Sequence, residues 1–153
     1  MTEQAMETQT IRKSVMVDAP QEKAFRVFTE KLGAWWPVAT HSVRRERAET
    51  AVLEGRVGGR LYERALDGEE ILWGEVTVWD PPHRLSYTWH PGRGPETGQE
   101  VEIRFLAEGD RTRVELEHRG WERLGDEAAE AIRSYDAGWD LVLVERYAAA
   151  VAG

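Results

Sequence analysis

Two side chains in this sequence stand at strand positions from which an acid and a base could reach a common interior. His118 shares its strand phase with Val114 and Leu116, so it points to the side those aliphatics cover. A lone histidine on an apolar face is either a hydrogen-bonded core residue or a polar anchor and general base, because imidazole titrates near neutrality. Glu63, in Leu61-Tyr62-Glu63, shares the phase of Leu61 and turns inward if that leucine packs into the core. A buried carboxylate needs a partner, for which Arg60, Arg64, Arg146 and His118 are the available groups. Glu63 and His118 are therefore the candidate catalytic residues. His41 follows a Trp-Trp-Pro turn and is either an ordinary loop residue or one that stands at a cavity mouth.

Aromatic residues supply the second signal. Trp35, Trp36, Trp73, Trp79, Trp89, Trp121 and Trp139 occur in nearly every element, and each alone reads as core filler with a satisfied indole N–H. Together they point to an aromatic-walled pocket, since bulky rings pack poorly into a deeply curved sheet and leave volume for a flat or hydrophobic ligand. The candidate ligand-binding residues are Trp35, Trp36, Trp73, Trp89, Trp121 and Trp139. Tyr87, Tyr135, His41, Glu63 and His118 complete the set.

Other chemistries lack their residues. His41, His83, His90 and His118 show no spacing of one helical turn and the chain has no cysteine, so no metal site is expected. Gly55, Gly58 and Gly59 are followed by neither a GK[ST] sequence nor a helix, which separates them from a phosphate loop. Ser42, beside His41, has no nucleophile elbow around it. No cofactor is expected.

Composition narrows the setting. A chain of 153 residues fits one domain that holds a core without staples. The absence of cysteine excludes disulfides and thiolate chemistry and suits a reducing cytoplasm, where the protein is expected. No basic and apolar leader is visible at the start, and no run reaches the roughly 18 apolar residues of a membrane helix, so no membrane insertion is expected. A net charge of −8 without a basic block argues against nucleic acid as partner.

The elements that must position these residues are legible from periodicity. Asp126 to Val151 reads as one long helix, with Ile132, Tyr135, Trp139, Val142, Leu143 and Tyr147 on one side. About 26 residues make a helix roughly 39 Å long, and covering such a stripe requires a sheet that curves around it. Asp126 is the expected cap. Gly138 costs a helix about 1 kcal/mol relative to alanine, so its place beside Trp139 suggests close approach by a strand or a ligand. Arg146, within the stripe, is either a stem snorkelling to water or an ion partner facing the pocket. Leu141, Val144 and Ala148 lie on the far side, where they meet the first strand and N-terminal helix or form a homodimer patch.

Ahead of that helix the chain is mostly strand. Residues 1–10 read as a disordered tail, Ile11 to Asp18 alternates as a strand, and Ala19-Pro20 opens a helix carrying Ala24, Phe25, Phe28 and Leu32. Six further strands follow: 51–54, 59–65, 70–79, 84–89, 100–107 and 112–119, separated by turn chemistry such as LDGE and EGD. Alternation in Leu85/Tyr87/Trp89, Val101/Ile103/Phe105 and Val114/Leu116/His118 marks an antiparallel sheet with one covered face. Val76 and Trp79 share a face only if a bulge lies between them. The fold class is α+β, with residues 11–153 forming a single domain.

This order resembles the START-like helix-grip (SRPBCC) superfamily and, within it, the family named after the activator of heat-shock protein 90 ATPase. The resemblance is carried by Val17-Asp18-Ala19-Pro20 with Ala24-Phe25 and Phe28, by Trp35-Trp36-Pro37, and by Val57-Gly58-Gly59-Arg60. It continues through Gly74-Glu75-Val76, Trp79-Asp80-Pro81-Pro82, Arg84-Leu85 and Tyr87-Thr88-Trp89 to Gly120-Trp121 and Gly138-Trp139. It implies a helix-grip fold: a curved antiparallel sheet of six to seven strands around the C-terminal helix, with two short helices after the first strand. Between sheet and helix, many relatives hold a small apolar or amphipathic molecule. Three functions follow as expectations: a carrier or sensor of such a ligand, an enzyme of the cyclase or hydrolase kind using Glu63 and His118, and a co-chaperone-like interaction domain with a stress-response role. Net charge of −8 gives the last no basic surface for an acidic chaperone.

Overall fold

The computed structural model describes residues 9–153, so the first eight positions of the expected tail lie outside the described residues. Strand β1 (Ile11–Val17) leads through Pro20 into helix α1 (Gln21–Thr29) and the short helix α2 (Leu32–Trp35). Trp36 leaves α2 in extended conformation, as the residue before a proline must. Six strands follow: β2 (Ala48–Leu53), β3 (Arg60–Ala65), β4 (Glu70–Asp80), β5 (Arg84–Trp89), β6 (Gln99–Glu108) and β7 (Arg111–Arg119). All pairings are antiparallel, in the order β1-β7-β6-β5-β4-β3-β2.

Register shifts bend this sheet. They fall between Ala48 and Thr50, Leu61 and Tyr62, and Val76 and Val78, and the extra residue at each bulge adds local twist. The last is the bulge that lets Trp79 join Val76 against the core. On the inner face Leu85, Ile103, Phe105, Val114 and Leu116 are buried, and α1 adds Phe25 and Phe28. The outer face is a charge lattice in which the Glu102 carboxylate takes hydrogen bonds from Arg84, Arg104 and Arg119.

The C-terminal helix departs from expectation at its start. A 3-10 stretch (Trp121–Glu127) precedes it, interrupted by Gly125 at φ 57°, a backbone region open to glycine. Helix α3 (Ala128–Trp139) therefore begins two residues after Asp126, with Glu127 at the cap position and no side-chain cap, so Asp126 is not the cap. The chain then winds as a π-helical segment (Asp140–Tyr147) and ends in α4 (Ala148–Ala152).

That loose winding has a packing consequence. Trp139, Leu143, Tyr147 and Val151 are all buried at intervals of four, a spacing that drifts around a helix of 3.6 residues per turn. The wider i→i+5 turns counter the drift and hold the row against the sheet. Each fully buried member contributes about 1.5–3 kcal/mol. Lys13 on β1 clamps the helix from outside through Asp136 and Asp140, at 3.1 and 3.0 Å. Arg146 is exposed and donates from Nε to the Trp35 carbonyl at 3.2 Å, its head turned to the surface. Ala148 packs against the core, whereas Val144 remains 38% exposed.

Candidate functional site

A cleft of about 290 Å3 opens between the segment after α2, the adjoining ends of β4 and β5, and the C-terminal helix. Four tryptophans form its inner wall. The Trp36 ring lies 5.2 Å from Trp73 and 5.8 Å from both Trp89 and Trp139, and Trp73 lies 5.4 Å from Trp89. Tyr135 meets Trp89 edge-on at 6.1 Å. The rim is polar, with Thr40, His41, Ser42, Arg45 and Ser134, and Gly138 keeps the helix side of the mouth low.

Three of the four indoles are tied by hydrogen bonds, one to the rim and two from behind. Trp36 Nε1 donates to the His41 carbonyl at 2.8 Å, which pins the rim to the wall. Trp73 Nε1 donates to Glu63 Oε1 at 2.6 Å. Trp139 Nε1 donates to His118 Nδ1 at 3.0 Å. With their N–H groups engaged, these rings offer the cleft apolar surface. Trp89 differs: its buried Nε1 has no hydrogen-bond partner among the described residues.

Glu63 and His118 both belong to the support behind this wall. Glu63 is fully buried, as its strand phase requires, but its partners are not the expected arginines or His118. Backbone N–H groups of Val43 and Arg44 donate to Oε1 and Oε2 at 2.7 and 2.8 Å, and the Trp73 indole completes the set. A carboxylate satisfied by three N–H groups needs no cation, which leaves the arginines of this strand free to face water. His118 is fully buried, stacks on Trp121 at 4.1 Å, and shares its Nε2 with Gln99 Oε1 at 3.2 Å. Since Trp139 donates to Nδ1, the proton sits on Nε2 and donates to Gln99. Burial pushes the imidazole down to about 3, so it is neutral. Neither residue lines the cleft, and no hydrogen bond joins them.

Of the other expected site residues, Trp36, His41, Trp73, Trp89, Tyr135 and Trp139 line the cleft. Trp35, Tyr87 and Trp121 do not. Trp35 donates to the Val27 carbonyl at 2.9 Å and packs on Phe28 and Tyr147, Tyr87 is buried in the sheet with its phenol pushed up by desolvation, and Trp121 underlies His118. The lining residues outside the expected set are Thr40, Ser42, Val43, Arg45, Pro91 and Ser134, with Gly138 and Val142 on the helix side. The one signal of the first six is adjacency to His41, to the β5 end and to Tyr135. Arg45 holds φ at 52°, an uncommon conformation for a side-chain-bearing residue and one that clusters at functional sites.

Two lining groups titrate. Burial, then the nearby Arg45, lowers His41, which keeps its imidazole neutral at pH 7; its Nδ1 lies 2.7 Å from Thr40 Oγ1. Burial raises the Tyr135 phenol, and the Trp89 indole N–H opposes that rise without meeting hydrogen-bond geometry. Among the described residues no group of three or more His, Cys, Asp or Glu is arranged to hold a metal ion, and no helix is long and apolar enough to cross a membrane. The arrangement suits a flat apolar body held among rings, with polar contacts and one neutral base at the mouth.

Comparison with known proteins adds the following. The sequence profile of the family described as Activator of Hsp90 ATPase homolog 1-like protein matches residues 18–152. Among solved structures, the chain is similar to Txn09, an anthrahydroquino-γ-pyrone synthase complexed with SUM, at 38% identity over 95% of this chain and 98% of that one, TM-score 0.64. It is also similar to CalC, a self-sacrificing resistance protein from Micromonospora echinospora, at 28% identity over 93% of both chains, TM-score 0.66. BH1534 from Bacillus halodurans shares the fold, with 24% identity over 94% of this chain and 96% of that one, TM-score 0.67. No curated protein matches.

Proposed function

The chain belongs to the Activator of Hsp90 ATPase homolog 1-like family of the START-like helix-grip (SRPBCC) superfamily, and on that premise we propose that it binds a flat aromatic small molecule in the tryptophan cleft. The observation that carries this reading is the tethering of Trp36, Trp73 and Trp139, whose N–H groups are taken up by protein acceptors and whose rings form the wall. Apolar walls with a few polar groups at the rim are what small-molecule sites require, and about 290 Å3 is the lower end of their usual size. The family description is the support for a co-chaperone role; the cleft supports ligand binding more specifically. A carrier or sensor needs nothing beyond this site.

A second reading, a ring-closing enzyme, is favoured by the likeness to Txn09 over nearly the whole of both chains. Closing an oxygen heterocycle by adding a hydroxyl across an unsaturated carbon–carbon bond forms a C–O bond as the O–H and that π bond break, and the proton taken from oxygen is returned to the neighbouring carbon. Among the lining groups the base suited to that step is His41 rather than Glu63 or His118, because its imidazole is neutral and stands at the mouth.

Titration of anthraquinone-type and other polycyclic aromatics, followed by tryptophan quenching and calorimetry, tests the site. Saturable one-to-one binding that Trp36→Ala abolishes is the expected result. A wild-type protein that neither binds nor gains thermal stability with any of these ligands would refute it. His41→Gln separates the two readings: an enzyme loses turnover with binding intact, whereas a carrier shows no turnover in either form and keeps its affinity.

A further inference from the structure

We propose that the cleft contains a site for one ligand oxygen, formed by the indole N–H of Trp89 and the hydroxyl of Tyr135, so that its ligand is a carbonyl-bearing aromatic rather than a hydrocarbon. This rests on the aromatic-cleft reading and names the substrate class for it.

Trp89 is 4% exposed and its Nε1 is the buried side-chain N or O atom left without a partner among the described residues. Native interiors rarely tolerate such an orphan without a role for it. Its surroundings explain why no protein acceptor serves it. Trp36, Trp73 and Trp139 are donors only, and both nitrogens of His118 are already engaged. Tyr135, edge-on to Trp89, is the one neighbour whose hydroxyl could accept, and the indole N–H acts on that phenol without meeting hydrogen-bond geometry. The indole N–H and the phenol O–H thus stand side by side with neither in a well-formed hydrogen bond, and a ligand carbonyl oxygen has two lone pairs to receive both. In a ring-lined, low-dielectric space each bond to that oxygen is strengthened.

Tyr135 stands between two spaces. Behind it lies a second cavity of about 340 Å3, and Pro91, Ser134 and Tyr135 line both spaces. Tyr135 is half-buried on α3 and forms part of the boundary between the two cavities, with its ring beside Trp89.

The test compares anthraquinone-2-sulfonate with anthracene-2-sulfonate, which share ring system and charge and differ in the two carbonyl groups. Calorimetry is run on wild type, Trp89→Phe and Tyr135→Phe, with thermal melts to show that each variant is folded. Wild type is expected to favour the quinone by about tenfold, and each variant to lower quinone affinity about three- to tenfold while leaving anthracene within about twofold. Should Trp89→Phe fail to fold, Tyr135→Phe, which removes one hydroxyl and keeps the ring, decides alone. Equal quinone-to-anthracene ratios in wild type and variants overturn the oxygen site while the cleft stands. Binding of neither probe to wild type removes the cleft reading and this site with it.

Discussion

The indole N–H of Trp139 donates to Nδ1 of His118 at 3.0 Å, a single bond that joins the C-terminal helix to β7 behind the cleft wall. It requires an imidazole without a proton on Nδ1, and a charged ring would present N–H against N–H. Structure and protonation are therefore linked at this residue.

That linkage predicts the acid sensitivity of the fold. Burial holds His118 down to about 3, below its unfolded value of about 6.5. Below pH 6.5 the unfolded chain takes up a proton that the folded chain refuses, so stability is fully present above that pH and falls as pH drops toward 3. Between pH 7 and pH 5 the loss from this group is about 2 kcal/mol. Urea unfolding of wild type and His118→Gln at the two pH values checks it. The stability difference between the proteins should shrink by that amount on acidification; a difference constant with pH would mean that His118 charges freely in the folded state.

Glu63 predicts a different failure. Its carboxylate is the shared anchor of the Val43 and Arg44 amides and the Trp73 indole. Glu63→Gln turns an NH2 toward one of these donors and removes the charge that strengthens all three bonds. The expected destabilisation is about 2–4 kcal/mol. Hydrogen exchange localises it: the amides of Val43 and Arg44 should lose protection before β6 and β7 do. Unchanged exchange at both amides would show that the carboxylate does not hold this rim.

These two residues also show what the sequence can and cannot disclose. That both face inward was legible, because a strand alternates with period two and Leu61, Val114 and Leu116 mark the covered side. The expected sheet is present for the same reason, and the two short helices and gripping helix follow from the 3.6-residue spacing of their apolar positions. The partners of Glu63 were not legible, since two of them are backbone amides, which carry no residue-type signature. Nor was the helix start, where Gly125 adopts a conformation that moves the first turn past Asp126. The π-helical winding left a trace only in the fourfold spacing of Trp139, Leu143, Tyr147 and Val151. The aromatic wall was legible as composition, but which rings face the cleft depended on how sheet and helix pack, since Trp35 and Trp121 are hydrogen-bonded yet lie away from it and Trp89 lines it unpartnered.

Gly138 separates stability from binding. A Cβ placed there meets one heavy atom nearby, His41 Cδ2 at 3.9 Å, an ordinary contact. Gly138→Ala should therefore stabilise the helix by about 0.5–1 kcal/mol, and ligand affinity should change little. Gly138→Leu extends across the mouth and should abolish aromatic ligand binding with the melting temperature at or above that of wild type. A leucine variant that binds as wild type does would place the ligand elsewhere.

His41 predicts how binding itself depends on pH. In the free protein its imidazole is lowered by burial and then by Arg45, so near pH 7 the mouth of the cleft carries a neutral ring beside one guanidinium. A ligand seated across the mouth buries His41 further and disfavours the charged form again. The sign follows: the complex binds fewer protons than the free protein, so affinity for an uncharged aromatic is highest above the His41 range and falls as pH drops through it. Calorimetric titration with an uncharged aromatic from pH 7.5 to 5 should show affinity falling toward a slope of one decade per pH unit, with proton release detectable as a dependence on buffer ionisation enthalpy. Replacing His41 by Gln should flatten that profile, and because His118 remains in the variant, a profile that stays steep would assign the effect to the folding equilibrium behind the wall instead of the cleft mouth.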